Sequence, residues 1–498
     1  MSHAPLTTTE EHTLKREFSL WSSFAFAFAF ISPIVALYGI FGLAISTAGP
    51  TFWFGFFLVF GGQLLVAFVF AQLVSRWPIE GSIYQWSRRL IGNGYGWFAG
   101  WAYMWTLVIA MATVALGAAG FMASIFGLDA PTGTQKALIA FVILLAGTGL
   151  NLVGRQALKI FMTASIAAEV IGSLGLGTWL LLFHRNQPLS VLTDGLGGGL
   201  GDGYLSLSGP FLVAVAFIGW SFVGFESAGA IAEEVHEPRR NLPKAVIFSL
   251  SFIAVVVIYS SLAIILAIPD MSAVTSALDA PNHVADPVSS TLTAALGESI
   301  AKPVEILFVI GFLASFLALQ TSASRVIWAY ARDGALPGAR TLTRLSKVQK
   351  QPVVALMVTT VVGALLFLLS NLSPNIYLLM VNFTTGGFFL AFLFPLVGAL
   401  VVQLRGTWRP GPFTLGRGSL LVTVLAVVWA AFEFLKISWP RAVNADRYLD
   451  WSVWIAVAVL GVLGAAIFAS VRSRIVTAAL IDEEELADER ADELAHPV

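Results

Sequence analysis

The chain has no cysteine among its 498 residues. Disulfides, thiolate metal sites and cysteine nucleophiles are excluded at once. Charge is nearly as scarce: 11% of the residues are Asp, Glu, Lys or Arg, where a soluble protein carries roughly 25%. That deficit excludes a soluble globular enzyme and a disordered chain. The formal net charge of −1 leaves no basic excess to hold phosphate backbones, so no nucleic-acid partner is expected. The six histidines (His3, His12, His184, His236, His283 and His496) all fall in expected tails or loops. No metal site inside a membrane, no haem and no other cofactor is therefore expected.

What the chain has in quantity is apolar sequence. Hydrophobic residues make up 57%, the mean hydropathy is +0.83, and there are 38 Phe and 15 Trp. A helix needs about 20 apolar residues to cross a hydrocarbon core of ~30 Å. No charge occurs from Phe18 to Ser75, and Thr47-Ala48-Gly49-Pro50 divides that run into spans near 22–46 and 51–75. Further spans fall near 95–125, 137–154, 160–183, 210–233, 244–269, 303–330, 353–371, 375–402, 419–437 and 451–471. The expectation is an all-α polytopic membrane protein of about twelve helices, with both termini on one side of the bilayer.

Only Lys136, Arg185, Lys302, Lys436, Arg441 and Arg447, of 28 Lys and Arg, lie on the face opposite the termini. The positive-inside rule then puts both termini in the cytoplasm of a multi-pass protein of the cell (plasma or inner) membrane. Residues 1–21 read as a cytoplasmic tail without a cleavable signal, 22–472 as the transmembrane domain and 473–498 as an acidic cytoplasmic tail. The longest loops, 184–209 and 270–302, are expected outside. Gly195–Gly203 reads as a flexible linker and 287–296 as an amphipathic helix at the outer mouth.

Two spans carry breakers at mid-depth. Pro33, in Phe30-Ile31-Ser32-Pro33-Ile34, removes a helical hydrogen bond in the first. In the sixth, Gly219 and Gly224 bracket Trp220, Ser221, Phe222 and Val223. Spans one and six each open a five-span half, and matched breaks of this kind point to repeats of inverted topology with a binding site between them. The competing reading is that single Pro and Gly residues are common in membrane helices.

Three segments carry a resemblance. GWSFVGFESAGAIAEEVHEPRRNLPKA (219–245) resembles the sixth-helix signature of the amino acid–polyamine–organocation superfamily. RWPIEGSIYQW (76–86) is similar to its loop after helix two, and SRVIWAYARDGALP (324–337) to its loop after helix eight. The similarity covers about residues 18–472 and is greatest to the amino acid/choline branch. It implies a leucine-transporter-type fold of five plus five helices, with repeats about 22–183 and 210–402, extra helices about 419–471, and helices one and six unwound at a central site. It implies a secondary transporter of amino acids or amines, often proton-coupled. Carried onto this chain, the helix-one break falls on Ser32, Pro33, Ile34, Val35 and Ala36, where the family usually has Gly-Ser-Gly. Close approach of a substrate carboxylate to the backbone is then expected to weaken. Ser32 still offers its hydroxyl, and carbonyls freed by Pro33 are expected to accept from an ammonium. Trp220 matches the aromatic that closes over substrate, and Ser221 and Val223 flank it.

Four carboxylates fall within spans. An ionised one at mid-membrane costs about 2.5 to 3.5 kcal/mol even on lenient scales. Glu305 is expected to pair with Lys302, and Glu433 with Lys436, each three residues away on a helix. Glu226 and Glu169 have no cation nearby in sequence. Glu226 either exchanges a proton or caps the unwound segment through backbone hydrogen bonds. Glu169 matches a position where some proton-coupled relatives place a lysine behind the helix-one break. It is a candidate proton carrier or cation (sodium) ligand, against a packing carboxyl. Arg332 and Asp333 read as gate or topology residues, and Glu233, Glu234, Arg239 and Arg240 either as groups that pair across a closed inner gate or as a solvated charge run.

The expected activity is proton-coupled import of amino acids or related amines by alternating access. The alternatives are a choline, ethanolamine, polyamine or 4-aminobutyrate transporter or exchanger, and a transporter-like nutrient sensor. Gly219-Trp220-Ser221-Phe222 fits the pattern of intramembrane serine proteases, but no span supplies a histidine base, and an enzyme is not expected.

Overall fold

A computed structural model describes residues 19–475 except 129–130, 197–199, 277–283, 285, 347–348, 370–375 and 441–446. Most of both tails, the middle of the glycine-rich linker and His3, His12, His283 and His496 lie outside the described residues.

The first span is three helical pieces: α1 (Leu20–Ile31), α2 (Pro33–Tyr38) and α3 (Phe41–Ala48). Ser19 starts α1 through a capping box with Ser22, which satisfies amides that a helix start leaves open. Next come α4 (Trp53–Arg76), the short α5 (Ile83–Ile91), α6 (Asn93–Ile125) and α7 (Gly133–Val153). Span five is α8 (Arg155–Glu169), a π turn over Val170–Gly175, and α9 (Leu176–Phe183). Span six is α10 (Pro210–Ile218) followed by tight 3₁₀ turns over Gly219–Phe222 and Phe225–Glu234. The second half continues with α11 (Pro238–Ala267), α12 (Met271–Thr275), α13 (Pro287–Leu296) and α14 (Glu298–Arg332). The remaining helices are α15 (Ala339–Leu342), α16 (Val353–Leu369), α17 (Ile376–Leu404), α18 (Ser419–Ser438), α19 (Arg447–Asp450) and α20 (Ser452–Val471).

Among the described residues, 11 helical segments are long and apolar enough to span a membrane, and α16 is a shorter apolar helix. The twelve expected spans are thus all present as helices, and α13 is the helix expected over 287–296. Asp286 caps α13 by accepting from the amides of Val288 and Ser289.

The long helix α14 runs through the middle of the bundle, against α6, α1, α8, α7 and α16. Small residues let these helices approach. A Cβ on Gly100 of α6 would lie 2.3 Å from the Tyr330 ring of α14, and one on Gly147 of α7 2.3 Å from Phe316. A Cβ on Gly62 of α4 would lie 2.0 Å from Trp429 of α18.

Two expected charge pairs differ. Lys302 reaches Glu298, one turn earlier, at 3.8 Å, and Glu305 is buried with one carboxylate oxygen lacking a hydrogen-bond partner among the described residues. Lys436 donates to the Leu207 carbonyl, and neither Glu433 oxygen has a hydrogen-bond partner among the described residues. Lys302 thus pairs one turn back along its own helix, whereas Lys436 is drawn to a carbonyl of a different segment.

Gly100→Val should force α6 from Tyr330 and lower stability by about 1–3 kcal/mol, read as reduced thermal stability in detergent. A wild-type melting curve would mean that α6 and α14 do not meet there.

Candidate substrate and coupling site

Helix one breaks at Ser32, whose φ of 49° is uncommon for a residue with a side chain. Ser32 ends α1 and caps α2: its hydroxyl accepts from the Val35 amide at 3.2 Å. Pro33 is the first residue of α2, a position that needs no amide donor and suits its fixed φ. The break therefore lies where the sequence indicated, but Ser32 makes it, and Pro33 starts the following piece rather than interrupting a helix.

Glu169, at the end of α8, lies directly behind this break. Its carboxylate accepts from the Ser32 hydroxyl on one oxygen and from the Ile34 amide, at 2.9 Å, on the other. It is 1% exposed. The π turn follows immediately, and Tyr38 donates to the Gly172 carbonyl within it at 3.2 Å. Gly311 of α14 borders the carboxylate; a Cβ there would lie 3.0 Å from Glu169 Oε1.

Helix six opens at Val223, which is extended, and at Gly224, whose φ is 105°. A Cβ on Gly224 would lie 2.3 Å from the Phe30 ring, so glycine is required both by conformation and by contact. Glu226 holds the opening: Oε2 accepts from the Gly224 amide and Oε1 from the Tyr103 hydroxyl, both at 3.0 Å. Gln63 of α4 donates to the Phe222 carbonyl at 3.0 Å. The backbone-capping geometry considered for Glu226 is thus present.

The two breaks face each other. Trp220 donates through its indole to the Val35 carbonyl at 3.4 Å, and Ser221 through its hydroxyl to Ala36 at 2.5 Å. Tyr377 donates to the Gly39 carbonyl at 3.2 Å, and Ser315 to Phe30 at 2.7 Å. The carbonyls expected to await an ammonium are therefore partly taken: those of Phe30, Val35 and Ala36 already accept from side chains. Ser32, Pro33, Ile34, Val35, Ala36, Trp220, Ser221 and Val223 share one buried neighbourhood.

The amino acid permease family model matches residues 18–464. The chain belongs to the amino acid permease family. A branched-chain amino acid permease of Bacillus subtilis is 27% identical over 89% of this chain and 92% of its own length. An amino-acid permease BAT1 homolog of Oryza sativa is 25% identical over 88% of each. A methylthioribose transporter of B. subtilis is 28% identical over 59% of this chain and 63% of its own. The protein is a secondary amino acid transporter of the amino acid–polyamine–organocation superfamily, not an enzyme.

At the arginine-rich end of the permease, Glu233 pairs with Arg332 at 3.1 Å, Glu234 with Arg325 at 3.1 Å, and Asp333 with Arg88 at 2.6 Å. Both arginines that pair with Glu233 and Glu234 come from α14; the inner-gate reading names Arg239 and Arg240. Those two line a cavity of about 920 Å³ with Ile79, Glu233, Arg332 and Asp333. Sequence reading did not single out Tyr103, Tyr377, Ser315 or Gln63. Gln63 had a signal, an amide inside a charge-free run. The others had none, because Tyr and Ser are ordinary in membrane helices and only the fold shows which carbonyls they reach.

Ser32→Ala should remove both the cap on α2 and a donor to Glu169, at a cost of about 0.5–2 kcal/mol. Thermal unfolding in detergent measures it; no change would mean that Ser32 caps nothing.

Proposed function

We propose that this permease imports amino acids by alternating access, coupled to protons at Glu169, with both termini in the cytoplasm of the cell membrane. The observation that carries the reading is that Glu169 takes both the Ser32 hydroxyl and the Ile34 amide. A carboxylate therefore occupies the positive end of α2. A substrate carboxylate entering from the site needs the same donors. Protonating Glu169 removes its charge and weakens its hold on them, so substrate and proton load together. Ionised, Glu169 reclaims the donors and the substrate leaves. A protonation that changes the balance between two conformations is what couples the ion to the substrate.

In this reading Ser32 and Ile34 receive the substrate carboxylate, while Pro33, Val35 and Ala36 shape the backbone around it. Trp220 lies over the ammonium, whose charge its ring face attracts, and Ser221 and Val223 set the wall beside it. Glu226 keeps helix six open and is the second coupling candidate. The two repeats are 22–183 and 210–402, with 419–471 outside them. The B. subtilis relative, by its name a branched-chain amino acid permease, supports an amino acid with an apolar side chain. The second reading, an amine or a zwitterion with a distant carboxylate, draws on the missing glycines at Ser32–Ala36. It extends to choline, ethanolamine, polyamines and 4-aminobutyrate, and sodium is the alternative coupling ion.

Glu169→Gln, neutral at all pH values, should keep substrate exchange in liposomes and lose accumulation driven by a pH gradient. Intact proton-driven accumulation removes Glu169 from coupling; sodium dependence of the wild type, lost in the variant, makes it a cation ligand. In the same liposomes, leucine should compete better than choline or 4-aminobutyrate, and the reverse order selects the second reading.

Trp220→Leu should weaken substrate binding by about 1–2 kcal/mol, near tenfold in affinity, with the protein still folded. Unchanged affinity returns Trp220 to ordinary packing.

A further inference from the structure

Glu80 lies in the turn between α4 and α5, outside the membrane spans, and is completely buried. Its amide donates to Glu233 Oε1 at 3.2 Å. Neither of its carboxylate oxygens has a hydrogen-bond partner among the described residues, and the buried hydroxyls of Ser82 and Ser227 also lack one.

The groups around it are charged. Glu233 and Glu234 face it from the end of helix six, and Arg325 and Arg332 from α14. Asp333, next to Arg332, accepts from Arg88 and, at 2.9 Å, from Gln85, both on α5. Gln85 in turn accepts from Arg89. Arg332, Arg325 and Arg88 are each matched to a carboxylate, namely Glu233, Glu234 and Asp333. Of the charged groups that face Glu80, Arg332 and Arg325 are thus already paired with Glu233 and Glu234. Burial first, then the neighbouring Glu234 and Glu233, push its carboxyl well above the usual carboxylate range.

These ion pairs tie together α5, the end of helix six and the end of α14, and the Glu80 amide joins the α4–α5 turn to them, beside the 920 Å³ cavity lined by Ala232, Glu233 and Arg332. We propose that Glu80 is a proton-binding site of this gate: the closed gate holds a proton on Glu80, and opening releases it to water in the cavity. On release, the carboxyl O–H bond breaks, the proton passes to water and the carboxylate becomes hydrated. The sign follows from linkage. A group that binds its proton more tightly in the closed form stabilises that form at low pH, and the stabilisation is lost as pH rises on that side. The inference does not rest on Glu169, whose role is read from accumulation; gate accessibility is a separate measurement.

The absence of cysteine provides the test. Ala232→Cys places a single thiol, buried in the closed gate, on the cavity wall. Thr341→Cys, exposed at the same end, corrects for thiol ionisation. In proteoliposomes, a membrane-impermeant maleimide is applied from the cavity side at pH 6 and pH 8. With Glu80 intact, the corrected labelling rate should rise at least threefold between the two. In Glu80→Gln it should stay low at both. Glu80→Asp, which keeps a titrating group, should retain the rise with a shifted midpoint. Equal rates at both pH values with Glu80 intact, or a rise that persists in Glu80→Gln, overturns the proposal. If Glu80→Gln does not fold, an unshifted midpoint in Glu80→Asp does the same. A rate that follows sodium at fixed pH also overturns it.

Discussion

A carboxylate inside hydrocarbon is costly unless its charge is held or neutralised, and the centre of this permease is arranged around that constraint. Glu169 is held by one hydroxyl and one backbone amide, and both come from the break in helix one. The break supplies donors that a continuous helix would have used internally, and the carboxylate stabilises a backbone that would otherwise leave a buried amide unpaired. Helix discontinuity and buried acid therefore depend on each other.

Helix six repeats the arrangement with different parts. Glu226 satisfies the Gly224 amide and receives the Tyr103 hydroxyl, so one acid serves both the opening and α6. Gly224 lies against Phe30, two residues before the helix-one break, which ties the two interrupted spans by direct contact. Side chains of helix six and α17 donate to carbonyls of helix one, so movement of either broken helix disturbs the other.

The arginine-rich end solves a different problem. There three acids are matched by arginines from α5 and α14, and the helix-six backbone ends among them. Ion pairs between separate elements differ from fixed backbone contacts in that water can replace what each partner provides. The centre uses fixed backbone donors instead, which suits a site whose geometry must persist.

Much of this was legible without coordinates. The count of spans, the positions of both breaks and the helix over 287–296 follow from local properties: run length, the missing amide of proline, the conformational freedom of glycine, and amphipathic patterning. The amino acid permease resemblance was carried by three contiguous segments, also local. What the tertiary structure decided was pairing. Glu233 meets Arg332 and Glu234 meets Arg325, both on α14; Asp333 meets Arg88 of α5; Glu169 meets Ser32 across 137 positions. Sequence spacing says which residues share a helix face, but partners on other elements depend on how each helix is rotated and shifted against its neighbours. That is set by close contacts such as Gly100 with Tyr330 and Gly224 with Phe30, and no local pattern records it.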